Sequence, residues 1–172
     1  DATTIVAPFA YLAFGRELGF RSRRPEQVAN DLQHLYDTTV SPYIFFADDC
    51  ISPKYLMRLW EAYEGPELTW QTEMRFEPGL TKSVLEVLEQ NGCAQLIFEF
   101  ESANQRVLDK MDKGTRREIV NRILEDCERV GINVNLQTMI CFPTETITQA
   151  LETLSYLRDH KHHVASFSMG HF

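Results

Sequence analysis

Glu99 and Glu101 stand two residues apart in a stretch, 96–101, that alternates apolar and polar side chains in the manner of a β-strand. Positions two apart on a strand share a face, so these carboxylates repel one another and require a positive charge nearby. Arg75, in another alternating stretch at 70–75, is one source of that charge and makes the arrangement structural; a bound cation or ammonium is the other and makes it functional. Paired-carboxylate acid and base chemistry, or the holding of a charged polar ligand, is open to such a set. A further alternating stretch at 132–137 contributes Asn133, Asn135 and Gln137, and the stretch at 70–75 adds Gln71 and Glu73.

These residues need elements to aim them. If the stretches are parallel strands with helices packed outside, the apolar side chains turn outward. Gln71, Glu73, Arg75, Glu99, Glu101, Asn133, Asn135 and Gln137 then turn inward into one lumen. Side chains ordinarily fill such an interior. An unmatched buried polar group costs about 2–7 kcal/mol, so a polar ligand is expected among these acids and amides.

Ligands of parallel α/β folds gather at the carboxyl ends of strands. The residues there are Asp48, Asp49 and Cys50, then Arg75 and Glu77, then Glu101 and Ser102, then Cys141, Pro143, Thr144 and Glu145. The two aspartates also suit a turn. Glu145 and Thr146 also suit a helix start, where an acid is stabilising in any case.

Periodicity supplies the elements. Pro25 with Val28, Leu32, Leu35 and Tyr36 predicts a helix to about residue 37, followed by a short strand at 43–47. Ser52 caps a helix with Leu56, Leu59, Trp60 and Tyr63 on one stripe, and a strand at 69–75 follows. Leu80, Val84, Leu85 and Leu88 form the next stripe, stopped by Asn91-Gly92 before the strand at 96–101. After a short helix at 104–111, Thr115 and Glu118 predict a capping box opening a helix that carries Ile119, Ile123, Cys127 and Val130 and stops at Gly131. A strand at 132–140, a helix at 146–160 and a strand at 164–167 complete an alternation of strands and helices, the pattern of a parallel α/β sheet or barrel. Residues 1–24 keep no steady period and read as an ordered loop with at most one short helix.

With 172 residues and 44% hydrophobic content, residues 1–172 fit a single soluble domain. No apolar run approaches the roughly 18 residues of a membrane span, and the start lacks a signal-peptide pattern, so the cytoplasm is expected. A net charge of -8 argues against broad attraction to nucleic acid or anionic membrane, and Arg21, Arg23 and Arg24 read as a solvated patch. Cys50, Cys93, Cys127 and Cys141 show no metal-binding spacing, which points to reduced thiols: Cys93 and Cys127 in the core, Cys50 and Cys141 at strand ends. His160, His162 and His163 fit a solvated helix end better than a metal set. No phosphate loop, nucleophile elbow or dinucleotide fingerprint is present. Without an initiator methionine, and opening in mid-segment, the chain reads as a piece of a longer protein.

The order of several segments resembles a known family. Phe20-Arg21-Ser22-Arg23 before Pro25-Glu26-Gln27-Val28, Ile44-Phe45-Phe46-Ala47-Asp48-Asp49, Trp70 with Arg75, Phe98 to Ser102, Met111-Asp112-Lys113-Gly114 and Phe142-Pro143-Thr144-Glu145-Thr146 resemble the core of a radical S-adenosylmethionine (radical SAM) enzyme. The resemblance is nearest to the branch that often carries an upstream cobalamin-binding domain. It implies a partial (β/α) barrel, TIM-like, with parallel strands, helices outside and the first strand missing from this chain. S-adenosylmethionine (SAM) then lies across the strand ends, and a 4Fe-4S cluster bound by C-x-x-x-C-x-x-C cleaves it reductively. This chain has no such motif, so the resemblance places the cluster ligands upstream of Asp1 and implies that the chain alone is inactive.

Carried over to matching positions, Asp48 and Asp49 approach the methionine amino group, with Arg75 in the same site. Glu101 and Ser102 meet the ribose, Lys113 meets the methionine carboxylate, and Asn135 and Gln137 line the adenine side. The implied cofactors are SAM, the cluster and, through an upstream domain, cobalamin. The implied partners are an electron donor and a small-molecule or peptide substrate, with methyl transfer and peptide modification both open, and with neither a membrane nor nucleic acid. Two departures stand out. Relatives usually have glycine where this chain has Glu99, and read Gly-x-Pro-Gly-Glu-Thr where it has Cys141-Phe142-Pro143-Thr144-Glu145-Thr146. Two other readings remain beside this one: a metal-free (β/α) barrel lyase or aldolase, and a degenerate, non-catalytic binding module.

Overall fold

Each apolar stripe becomes a helix, and those after the first strand cross from one strand to the next. The computed structural model describes residues 22–48 and 50–172. Its elements run α1 (Pro25–Thr39), β1 (Tyr43–Phe46), α2 (Pro53–Ala62), β2 (Thr69–Met74), α3 (Lys82–Gln90), β3 (Cys93–Glu101), α4 (Gln105–Met111), α5 (Arg117–Val130), β4 (Asn133–Ile140), α6 (Ile147–Asp159) and β5 (Ser166–His171). The strands form a single parallel sheet in the order β1-β2-β3-β4-β5. Parallel strands joined in consecutive order through helices, whose crossovers are as a rule right-handed, put the helices on one face and favour a sheet curled toward a barrel. This is the expected partial (β/α) architecture. The expected ordered loop at 1–24 falls mostly outside the described residues, as does Asp49.

The helices start where their caps dictate. Ser52, Thr81, Asn104 and Thr146 each accept a hydrogen bond from the backbone N–H three residues on, satisfying a donor that the first turn leaves open. The expected capping box at Thr115 does not form. The α5 N-cap is Arg116, and Gln105 from α4 reaches across instead: its Oε1 accepts from Arg117 N–H at 3.4 Å and its Nε2 donates to the Thr115 carbonyl at 3.0 Å. The last strand also differs from expectation, running Ser166–His171 rather than 164–167. Its Ser-x-Ser-x-Gly alternation pairs with β4 from Asn135 to Ile140, a longer match than its short apolar run suggested.

The core lies between the convex face of the sheet and the helix layer. Trp70, Leu96, Phe98, Val134 and Leu136 project from the strands, and Leu56, Leu59, Leu85, Leu88, Ile123 and Leu124 meet them from the helices. Phe76 stacks on Phe98 with ring centroids 4.2 Å apart, and Trp60 on Trp70 at 5.1 Å. Cys93 and Cys127 are buried here, and burial pushes the Cys127 thiol up to about 12, so both act as small core residues. Gly92 holds a left-handed φ of 84° with the Leu68 carbonyl where a Cβ would sit, so this helix-to-strand turn needs glycine.

Candidate functional site at the strand ends

Register decides which side chains share the concave face. Gln71 pairs with Gln95 and Glu73 with Ile97; Ile97 pairs with Asn135 and Glu99 with Gln137; Asn135 pairs with Ser166 and Gln137 with Ser168. All lie on the side away from the helices, as the alternation predicted, and on β1 Phe45 joins them opposite Gln71. The face is knit by polar bonds. Gln137 Nε2 donates to Glu73 Oε1 at 3.2 Å across the intervening strand, and Asn135 Nδ2 donates to Ser166 Oγ at 2.7 Å.

Charge is gathered at the carboxyl end of β3. The pairing slips between Glu99 and Glu101, and Glu101 adopts a left-handed φ of 62°, which tucks its side chain in beside Glu99. Lys113 arrives from the loop between α4 and α5, where Asp112 and Gly114 also hold positive φ. Its Nζ lies 3.1 Å from Glu99 Oε2 and closes an ion pair with Glu101 Oε1. Arg75 donates to the Lys113 carbonyl. The cation that the two acids require is thus mainly Lys113, and Arg75 positions the loop that brings it. Burial opposes the charged ammonium, yet hydrogen bonding and charge from Glu101, then Glu99, outweigh it and raise the Lys113 pKa above its ordinary value. Such a rim holds an acid pair, an ammonium and a guanidinium within reach of one another, with amides and Glu73 deeper on the same face. It is suited to a zwitterion joined to a polar, hydrogen-bonding body.

The other expected site residues scatter. Asp48 is exposed just beyond β1. Ser102 is fully buried: its Oγ lies 3.2 Å from Thr153 Oγ1 and accepts from Asn104 N–H at 3.1 Å, so it is turned into the protein. Cys50 is exposed as a residue, but its thiol sits among Arg75, Glu77 and Glu99, where burial first and Glu77 second raise its pKa. Cys141 is exposed at the end of β4. Glu145 keeps both carboxylate oxygens shielded from solvent with no hydrogen-bond donor on them among the described residues. Two clefts of about 560 and 460 Å³ lie at the opposite, amino ends of the strands, beside residues 42, 69 and 92 and residues 133 and 163, away from this chemistry. Sequence reasoning missed Thr153 and Arg106, which lie far along the chain and carry no motif.

A single parallel sheet with helices on one side and a charged cluster at its carboxyl strand ends defines an α/β protein of the partial-barrel class. The family model of the radical SAM superfamily matches residues 10–157. The chain therefore belongs to the radical SAM superfamily. It is 23% identical over 151 residues to an uncharacterized methyltransferase of Pyrococcus horikoshii, an alignment covering 86% of this chain and 32% of that protein. Its fold is similar to that of the radical SAM methyltransferase TsrM from Kitasatospora setae, solved with cobalamin and a [4Fe-4S] cluster, at a TM-score of 0.73, 14% identity and coverage of 87% of this chain and 31% of that one. It is likewise similar to coproporphyrinogen III oxidase (HemN) from Escherichia coli, a radical SAM enzyme, at 0.64 and 14% over 88% of this chain and 38% of that one. The chain thus spans about a third of the length of these relatives. No helix among the described residues is long and apolar enough to cross a membrane.

Proposed function

We propose that this chain is the SAM-holding part of a radical SAM enzyme. The observation that carries the reading is the Glu99–Lys113–Glu101 cluster, braced by Arg75, at the carboxyl end of the middle strand of a family-matched sheet. Lys113 meets the methionine carboxylate, Asp48 and Asp49 the amino group, and Glu101 the ribose. Asn135 and Gln137, the latter tied to Glu73, line the adenine side. Ser102, with its hydroxyl already engaged, acts by ordering the strand end. These donors and acceptors fit a zwitterion with a sugar and a purine, each part finding groups of complementary polarity. When bound, SAM supplies the sulfonium-linked carbons from which the radical or methyl chemistry of such enzymes is drawn.

The residues described here do not fit the iron-sulfur cluster. No group of three His, Cys, Asp or Glu among them could hold a metal ion, two of the cysteines are core residues, and the sequence has no C-x-x-x-C-x-x-C. The cluster ligands belong elsewhere in the complete protein, and the chain alone is inactive. Similarity to the methyltransferase TsrM, solved with cobalamin and with tryptophan as substrate, supports a small-molecule substrate, methyl transfer as the outcome and cobalamin as a further cofactor of the complete protein.

The test is anaerobic reconstitution of the complete protein with iron and sulfide, followed by assay of SAM cleavage. Formation of 5'-deoxyadenosine or a methylated product, and none from residues 1–172 alone, is expected. Turnover without iron would contradict the reading and favour a metal-free barrel lyase.

A further inference from the structure

Strain in this molecule is concentrated on one rim. Glu101, Asp112, Cys141 and Thr144 are all but one of the non-glycine residues with left-handed φ among the described residues, and each lies at the carboxyl end of β3 or β4 or in the loop that presents Lys113. Backbone of this kind persists only where its surroundings over-determine it. One helix does much of the determining. On one face of α6, Gln149, Glu152 and Thr153 all turn toward the β3–α4 turn. Thr153 Oγ1 accepts from Ala103 N–H at 3.0 Å and lies 3.2 Å from Ser102 Oγ, with both hydroxyl residues fully buried. Asn104 Nδ2 donates to Glu152 Oε2 at 2.7 Å, and Gln149 Nε2 donates to Asn104 Oδ1 at 3.4 Å. Arg106, from α4, reaches the other loop: its Nη1 donates to the Thr144 carbonyl at 3.3 Å and to Gln149 Oε1 at 3.2 Å.

We propose that α6 is a polar clasp, with Thr153 as its positioning residue, which fixes the strained turn after Glu101 and so sets the affinity of the Glu101–Lys113 rim for the ionic end of its ligand. The proposal rests on the SAM-holding reading for the identity of that ligand. The reason lies in what a helix packed only for its apolar face would do at this place. A valine at 153 would match the volume of threonine, but it would leave Ala103 N–H buried without an acceptor, and buried amides are nearly always paired. The hydroxyl is the group that lets the chain leave Glu101 in a left-handed conformation and enter α4 at Gln105, four residues later. Releasing it frees the turn to relax, and relaxation moves the Glu101 carboxylate away from Lys113.

The test uses the complete, reconstituted protein and SAM as probe. Thr153→Val is expected to weaken SAM binding roughly tenfold, Thr153→Ser to stay within about twofold, and turnover at saturating SAM to be unchanged, because the loss is in binding. Exchange of the Ala103 amide with solvent should rise in parallel in Thr153→Val. Should that variant not fold, Arg106→Ala, at an exposed position in the same clasp, is expected to weaken binding by roughly threefold. Unchanged SAM affinity in Thr153→Val, or a serine variant as weak as the valine one, overturns the proposal. If the wild-type complete protein binds no SAM, it is the functional reading that fails. The clasp is then decided by Ala103 exchange alone, where faster exchange in Thr153→Val supports it and unchanged exchange overturns it.

Discussion

Along β3, Leu96, Phe98 and Phe100 are fully buried against the helices, while Ile97 and Glu99 between them stay partly open on the other side of the same strand. The two faces are made from alternate residues of one segment, and they are completed differently. The convex face finds its partners inside the chain, in leucines and stacked aromatics. The concave face is knit by polar pairs instead: among the described residues Glu73 takes Gln137, Asn135 takes Ser166 and the acid pair takes Lys113. Stability should therefore reside on one face and ligand affinity on the other.

The comparison is broken most forcefully on the convex side. Phe98→Ala removes a ring stacked on Phe76 in a fully buried site, and should cost about 3–5 kcal/mol in denaturant unfolding. A loss below about 1 kcal/mol would mean the convex face is not the core. On the concave rim, Lys113→Met leaves two carboxylates facing each other, and should cost about 1.5–3 kcal/mol at neutral pH. The sign with pH follows from the raised Lys113 pKa. The ammonium's contribution is fully present below its ordinary value of 10.5 and disappears as pH climbs through the higher folded value, so wild type should lose stability there relative to the variant. Deeper on the same face, Glu73→Gln keeps a hydrogen bond with Gln137 and should change stability by less than about 1 kcal/mol.

The smallest effect has the opposite sign. Cys141 and Thr144 hold φ of 65° and 74°, and the resemblance drawn from the sequence puts glycine at both positions. A β-branched side chain is an outlier in that region. Thr144→Gly should raise thermal stability by up to about 1 kcal/mol, since the strain of a left-handed L-residue is of that order; a decrease would show that the hydroxyl's place near Arg106 matters more.

Much of this division was legible in the sequence. Alternation at 70–75 and 132–137 announced which residues share the lumen, because a strand has a strict period of two. Caps at Ser52 and Asn91-Gly92 bounded their helices because they act within a few residues. What escaped was set by distance along the chain. Glu99 and Glu101 announced that a cation was needed, but Arg75, on the adjacent strand, was the visible choice. Lys113 reaches them from a loop after an intervening helix, and nothing local marks it as their partner. Thr115 followed by Glu118 satisfied the local rule for a capping box, yet Gln105 from another helix took over that role. Ser102 was expected at a ligand, and the structure turns its hydroxyl toward Thr153, 51 residues away.

The central claim, that the concave strand ends are the SAM-holding surface, is tested most directly by equilibrium dialysis of SAM against the complete protein. Wild type is compared with Glu101→Gln on the rim and Leu151→Ala on the exposed outer side of α6. The account predicts that Glu101→Gln weakens binding by about tenfold or more while Leu151→Ala binds as wild type does. Equal affinity in the wild-type and Glu101→Gln proteins would contradict it.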